Sequence, residues 1–143
     1  MNGFTADQVI NGTWGECWFD DEYMAEVTAF KLEIGATYTA VTRTRNLVNG
    51  QKLTGVEPKG EVKMHKVSSR IAKKVSDCLK QGKVPKIKIV SKLADPDAIG
   101  AERVVAYGCK FDKAVLADWE AGKMGEESYS FTAEDWDYID YIR

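Results

Sequence analysis

Apolar and polar residues alternate with a period of two along most of this chain, and that pattern alone excludes a helical architecture. In the longest run Thr28, Phe30, Leu32 and Ile34 stand on one side and Lys31, Glu33 and Gly35 on the other; the pattern resumes through Tyr38, Val41 and Arg43 to Arg45. It recurs from Glu61 to Lys66, from Lys86 to Leu93, and from Glu102 to Lys113, where Val105, Tyr107, Cys109 and Phe111 are expected to share a face. Tyr129, Phe131 and Ala133 repeat it near the C-terminus. Thr13 to Phe19 and Tyr23 to Val27 flank Asp20, Asp21 and Glu22, which reads as a tight hairpin.

Only one segment has a helical period. Ile71, Val75, Cys78 and Leu79 fall at i, i+4, i+7 and i+8 between Ser68 and Gly82, predicting an α-helix over about 68–81. Ser68 or Ser69 can cap its start, Gly82 can take a left-handed conformation at its end, and Pro85 blocks continuation. With strands this numerous and connections this short, the expected fold is mainly β. An antiparallel β-sandwich or partly closed barrel with one flanking α-helix follows. Residues 46–59, with Gly50, Gly55 and Pro58, read as a long irregular loop.

The length of 143 residues suits a single domain, 1–143, whose core needs no disulfide or metal. Cys17, Cys78 and Cys109 are odd in number and outside any CxxC pattern, so they read as small core residues. The N-terminal stretch has neither a basic nor an apolar signal region, and no run approaches the roughly 20 apolar residues of a membrane span. The expected location is the cytoplasm, with release by lysis.

The formal net charge of -2 conceals an uneven distribution. From Arg43 to Lys92 there are 14 Lys and Arg against 3 acids, a local charge of +11, while the remainder holds 6 bases and 19 acids, or -13. A basic middle with acidic flanks fits either an anionic partner or a second copy whose acidic part meets the basic one. The C-terminal residues 134–143 mix Trp136, Tyr138, Ile139, Tyr141 and Ile142 with carboxylates, so they are expected to dock, on this domain or on a neighbour.

Catalytic material is scarce. His65 is the only histidine and stands between lysines on the polar side of a strand. No GxSxG elbow, phosphate-binding loop or HExxH is present. Asp95 and Asp97, like Asp20 to Glu22, lack the spacing that wraps oxygens around calcium and serve turns instead. Neither enzyme activity, nor a cofactor, nor a metal is expected.

The order of features resembles the phage tail tube proteins of the PBSX-prophage type. The correspondence runs from Val9 to Gly12 and Gly15, through Trp18 to Val27, Phe30, Lys52 to Gly55, Gly60 and His65 to Ser69, to Ala101 to Val104, Phe111-Asp112 and Phe131 to Asp135. It spans nearly the whole chain, and it rests on order and spacing rather than on any one motif. The resemblance implies a structural subunit that self-assembles into hexameric rings stacked as the inner tube of a contractile phage tail or phage-tail-like bacteriocin. Strands Val27 to Arg45 and Val56 to Lys66 would form a long extended hairpin of that tube.

On this reading Lys31, Glu33, Glu61, Lys63 and His65 would line the channel. The 46–59 loop, with Asn46, Asn49, Gly50, Lys52, Glu57 and Lys59, would meet an acidic surface of the next ring. The implied partners are further copies of the chain, a tail sheath, baseplate or initiator proteins and terminator proteins. DNA enters only as cargo in the lumen, and the subunit binds no membrane. Assembly would take place in the bacterial host cytoplasm and end in the particle. The competing reading is a nucleic-acid-binding β-barrel using the basic 43–92 region. No aromatic residue lies between Tyr38 and Tyr107 in that region, which disfavours base stacking.

Overall fold

The computed structural model describes residues 3–143. Two short 3-10 turns, Ala6–Gln8 and Gly12–Trp14, lead into β1 (Gly15–Phe19) and β2 (Glu22–Tyr23). Then come β3 (Val27–Arg43), β4 (Asn46–His65), α1 (Arg70–Lys80), β5 (Ile87–Leu93), β6 (Glu102–Phe111), β7 (Glu126–Thr132) and β8 (Asp135–Asp140). The strands form one antiparallel sheet in the order β2-β1-β5-β6-β7-β4-β3, with β8 added beside β6. The sheet is mainly β and antiparallel, as alternation predicts, and it does not close into a barrel.

Strand β6 is where the sheet changes direction. Its first half pairs with β5 and β8, whereas Lys110 and Phe111 pair with Thr132 and Phe131 of β7. Between the halves Gly108 has φ 62, a left-handed conformation, and a side-chain carbon there would sit 3.1 Å from Glu134. The sheet folds across this point onto one core. Cys17, Phe19, Ile87 and Ile89 from one half meet Val62, Met64, Tyr129 and Phe131 from the other. Phe111 joins them, with ring centroids 6.2 Å from Phe19, 5.6 Å from Tyr129 and 5.9 Å from Phe131.

Four expectations need correction. Residues 46–59 are not a loop: they belong to the 20-residue strand β4, paired with β3 as far as Arg43 opposite Asn46. Glycine and proline punctuate the stretch without breaking it. The N–H and C=O of a strand residue point to the same side, and the Pro58 carbonyl accepts from the Ala133 N–H at 3.0 Å. The missing Pro58 donor therefore lies where β7 runs out, and the β3 ladder stays intact.

The remaining corrections are matters of phase and extent. Tyr107 does not share the core face with Cys109 and Phe111, because Ile87 and Ile89 face Cys109 and Ala106 across a bulge at Tyr107-Gly108. Ala106 is the core residue, and Val105 is buried on the other face. The second strand of the first hairpin is only Glu22–Tyr23, with Asp20 and Asp21 both at positive φ in its turn. The helix buries Ile71, Ala72 and Val75 but leaves Leu79 exposed. Gly82 does take φ 75 beyond its end.

Candidate assembly surface

Strands β3 and β4 outrun everything else in the fold. The last rung of β7 is Thr132 opposite Lys59, and beyond Ile34 and Pro58 the two strands pair only with each other among the described residues. Nine further residues of β3 at about 3.4 Å each carry this arm roughly 30 Å beyond the body. An isolated two-stranded ribbon has marginal stability in water, so an arm of this length is a surface built to be covered.

The two faces of the β3-β4 hairpin differ in chemistry along its whole length. On one, Ala29, Lys31, Glu33 and Gly35 stand opposite Lys63, Glu61, Lys59 and Glu57. Charges of opposite sign thus face each other across the ladder at Lys31-Glu61 and Glu33-Lys59, which favours this register. Lys31 also reaches Glu33 at 3.5 Å, and Ser128 on β7 donates to Glu61 at 2.8 Å. His65 continues the face opposite Glu126. All five residues expected to line a channel are therefore brought onto one polar face.

Of the residues expected to meet another ring, Glu57 and Lys59 share that same polar face, and so does Lys52, opposite Thr39 beyond a bulge. They do not form a separate contact loop. Asn46, Asn49 and Gly50 lie near the tip, where the Asn46 side chain accepts from the Val48 N–H at 2.9 Å.

The opposite face is apolar. Val27, Phe30 and Leu32 pack against the core, with the Phe30 and Phe131 rings stacked 6.0 Å apart. Farther out Ile34, Tyr38, Leu53 and Val56 continue the stripe without cover, and Leu47 at the tip is fully exposed. A groove of about 840 Å³ opens where this face diverges from the body, lined by Phe30, Leu32, Ile34, Leu93, Val104 and Trp136. Exposed apolar side chains grouped in this way make the face a candidate interaction surface. The Gly and Pro content of β4 hid it from the sequence. A second exposed apolar set, Leu116, Trp119 and Met124 in the irregular 112–125 segment, has no periodic signal at all.

Electrostatics bind the acidic first hairpin to the basic helix. Lys74 reaches Asp20 at 2.9 Å, Lys88 reaches Asp21 at 3.8 Å, and Arg70 bridges Glu22 and Glu26. Burial pushes the Asp20 carboxyl up, but the Lys88 N–H and the Lys74 ammonium outweigh it and hold Asp20 below its ordinary value. Lys110, and then Lys86, hold Glu134 low in the same way. Burial pushes the Cys17 and Cys109 thiols up to about 12, so both stay protonated in the core. Part of the charge split seen in sequence is thus cancelled within one subunit.

The C-terminal segment docks on its own domain, since β8 pairs with β6 from Tyr107 opposite Asp135 to Arg103 opposite Asp140. Among the described residues no group of three or more His, Cys, Asp or Glu could hold a metal ion, and no helix is long and apolar enough to cross a membrane.

Comparison with known proteins places these features in context. A family model described as phage tail tube protein matches residues 2–140. The chain is 30% identical over 134 residues to the phage-like element PBSX protein XkdM of Bacillus subtilis (strain 168), covering 92% of this chain and 91% of that one. In fold it is similar to a chain in the sheath/tube terminator of the extracellular contractile injection system PVC in its extended state. The TM-score there is 0.76 at 8% identity, with 95% of this chain and 100% of that one covered. A chain of the PVC sheath-tube complex gives a TM-score of 0.72 at 8% identity, covering 95% of each.

Proposed function

Because the chain belongs to the phage tail tube protein family, and so is a structural part of the tail of a phage or phage-tail-like particle, we propose that its copies close into hexameric rings stacked head to tail as a hollow inner tube. The observation that carries this reading is the arm, two strands about 30 Å long with an apolar face its own subunit leaves bare. Laid against the neighbouring subunit, the arm buries Ile34, Tyr38, Leu53 and Val56 and removes the open edge of β3. The polar face of the same hairpin, whose body-side part carries Lys31, Glu33, Glu61, Lys63 and His65, then lines a water-filled channel through which DNA or ions pass. The mixed signs on that face leave no strong field to trap a polyanion.

Stacking is a heterologous contact that repeats without closing, so the two ends of a ring must be complementary. Sheath, baseplate or initiator and terminator proteins are the further partners, and assembly takes place in the host cytoplasm before the tube enters the particle. The chain itself does no catalysis and binds no membrane. In the basic 43–92 region Lys66, Arg70, Lys74, Lys86 and Lys88 are engaged by acids of the same chain, which leaves fewer free cations for the alternative nucleic-acid reading. Negative-stain microscopy of the purified protein across a concentration series tests the proposal. Rings or hollow rods are expected, and a protein that stays monomeric at every concentration would overturn it.

A further inference from the structure

Among the surfaces of the described residues that carry charge without an ion pair beside bare apolar side chains, two have opposite signs and sit at opposite ends of the arm's reach. The first is β8. Asp20, Asp21, Glu22 and Glu26 are bonded to Arg70, Lys74 and Lys88, and Glu127 and Glu134 are bonded to Lys66, Lys86 and Lys110. Asp135, Asp137 and Asp140 form no ion pair among the described residues. They stand opposite Tyr107, Val105 and Arg103, which share one face of β6. The bulge at Ile139 restores the phase that alternation would have lost, so all three carboxylates lie on the same face. Arg103, the cation opposite Asp140, makes no ion pair with it. Ile139 and Tyr141 lie exposed beside this row, and the Arg143 guanidinium sits 5.5 Å over the Tyr141 ring. Among the described residues no further strand pairs with β8, so its outer edge is open.

The second region is the tip of the arm. Arg43 and Arg45 form no ion pair among the described residues, and the Arg43 Nη2 donates to the Val48 carbonyl at 2.8 Å, which holds the guanidinium against the turn. Arg45 takes φ 58 in that turn, and Leu47 and Val48 stand exposed next to both. The tip lies roughly 30 Å out along the arm, directed away from the body that carries β8.

We infer that the tip of the arm of one copy seats on the aspartate-faced strand β8 of another. This rests on the tube reading above and names the partner surface that its arm reaches. Arg43 and Arg45 meet Asp137 and Asp140, while Leu47 and Val48 cover Ile139 and Tyr141. Charge of one sign at the end of a long lever and of the other on the body also steers copies together and disfavours tip-to-tip association.

Charge reversal on each side, and on both sides at once, tests the contact. Arg43→Glu with Arg45→Glu is expected to raise the protein concentration needed for assembly about ten-fold or more, read by light scattering and microscopy. Asp137→Lys with Asp140→Lys is expected to do the same. A chain carrying all four substitutions again matches tip to strand and should assemble within about three-fold of the unaltered protein. Thermal melts establish that each variant folds, and Asp137→Asn with Asp140→Asn replaces the lysine pair if that one does not. Folded single-side variants that assemble as readily as the unaltered chain, or a four-substitution chain no better than either parent, would overturn the contact and leave the tube reading standing. An unaltered protein that forms no polymer overturns both.

Discussion

The body and the arm are made of the same kind of strand yet obey different rules. In the body each strand has neighbours on its edges and an apolar face against a shared core, so Val62, Ile87, Ile89, Cys109 and Tyr129 are wholly buried. In the arm the same alternation continues in β3 and β4 without a third strand or a second layer, and Ile34, Tyr38 and Leu53 remain about half exposed. The difference teaches that alternation encodes a face, whereas the cover for that face is supplied by whatever stands opposite. For the body the cover is the other half of the bent sheet. For the arm it is proposed to be another molecule.

The sharpest way to break the comparison is to substitute a packed residue in the body and exposed ones in the arm. Phe111→Ala removes a ring packed against Phe19, Tyr129 and Phe131, and should cost about 3–5 kcal/mol in denaturant unfolding. A loss under about 1 kcal/mol would mean the two halves of the sheet do not share a core. Gly60→Ala should come next. A side-chain carbon there would run into the Lys31 backbone carbonyl and lie 2.6 Å from the Phe131 ring, so β3 and β4 must part locally and the substitution should cost at least about 1–3 kcal/mol in denaturant unfolding.

Substitutions in the arm should invert this order. Leu53→Asp with Val56→Asp should shift the stability of the unassembled protein by no more than about 0.5 kcal/mol, because both side chains are already wet. Yet ring formation, followed by analytical ultracentrifugation, should be lost. Stability falling in step with assembly would show that the arm folds back on its own subunit.

The smallest effect is expected from acid. Asp20 and Glu134 both have carboxyls held below their ordinary values, so each contributes stability that is present above its unfolded value and is lost as pH falls through its folded one. A modest fall in melting temperature below about pH 4 should result, and it should shrink when Asp20 is replaced by Asn. An unchanged acid profile in Asp20→Asn would remove the Lys74 and Lys88 contacts from the account.

Much of this was legible in the sequence. The helix was, because Ile71 and Val75 repeat at its period and Gly82 ends it. The shared face of the residues proposed to line the channel was legible too, since Lys31, Glu33, Glu61, Lys63 and His65 obey an uninterrupted alternation. Residues 46–59 were not legible as strand, because Gly50, Gly55 and Pro58 carry the local signature of a turn and only the partner β3 overrides it. Nor was the core phase of β6, where one extra residue at Tyr107-Gly108 exchanges inside and outside for everything before it.

Local chemistry therefore determined the class of structure: strands from period two, a helix from period 3.6, and turns from residues that tolerate left-handed backbone. Tertiary structure decided which strands become neighbours, where the sheet bends, and which charges are spent. Those outcomes depend on pairing and burial between residues far apart in the chain, whose energies appear only when the partners meet. The length of the arm beyond its last partner is the clearest case, because a strand's sequence specifies its own two faces and not where its neighbour ends.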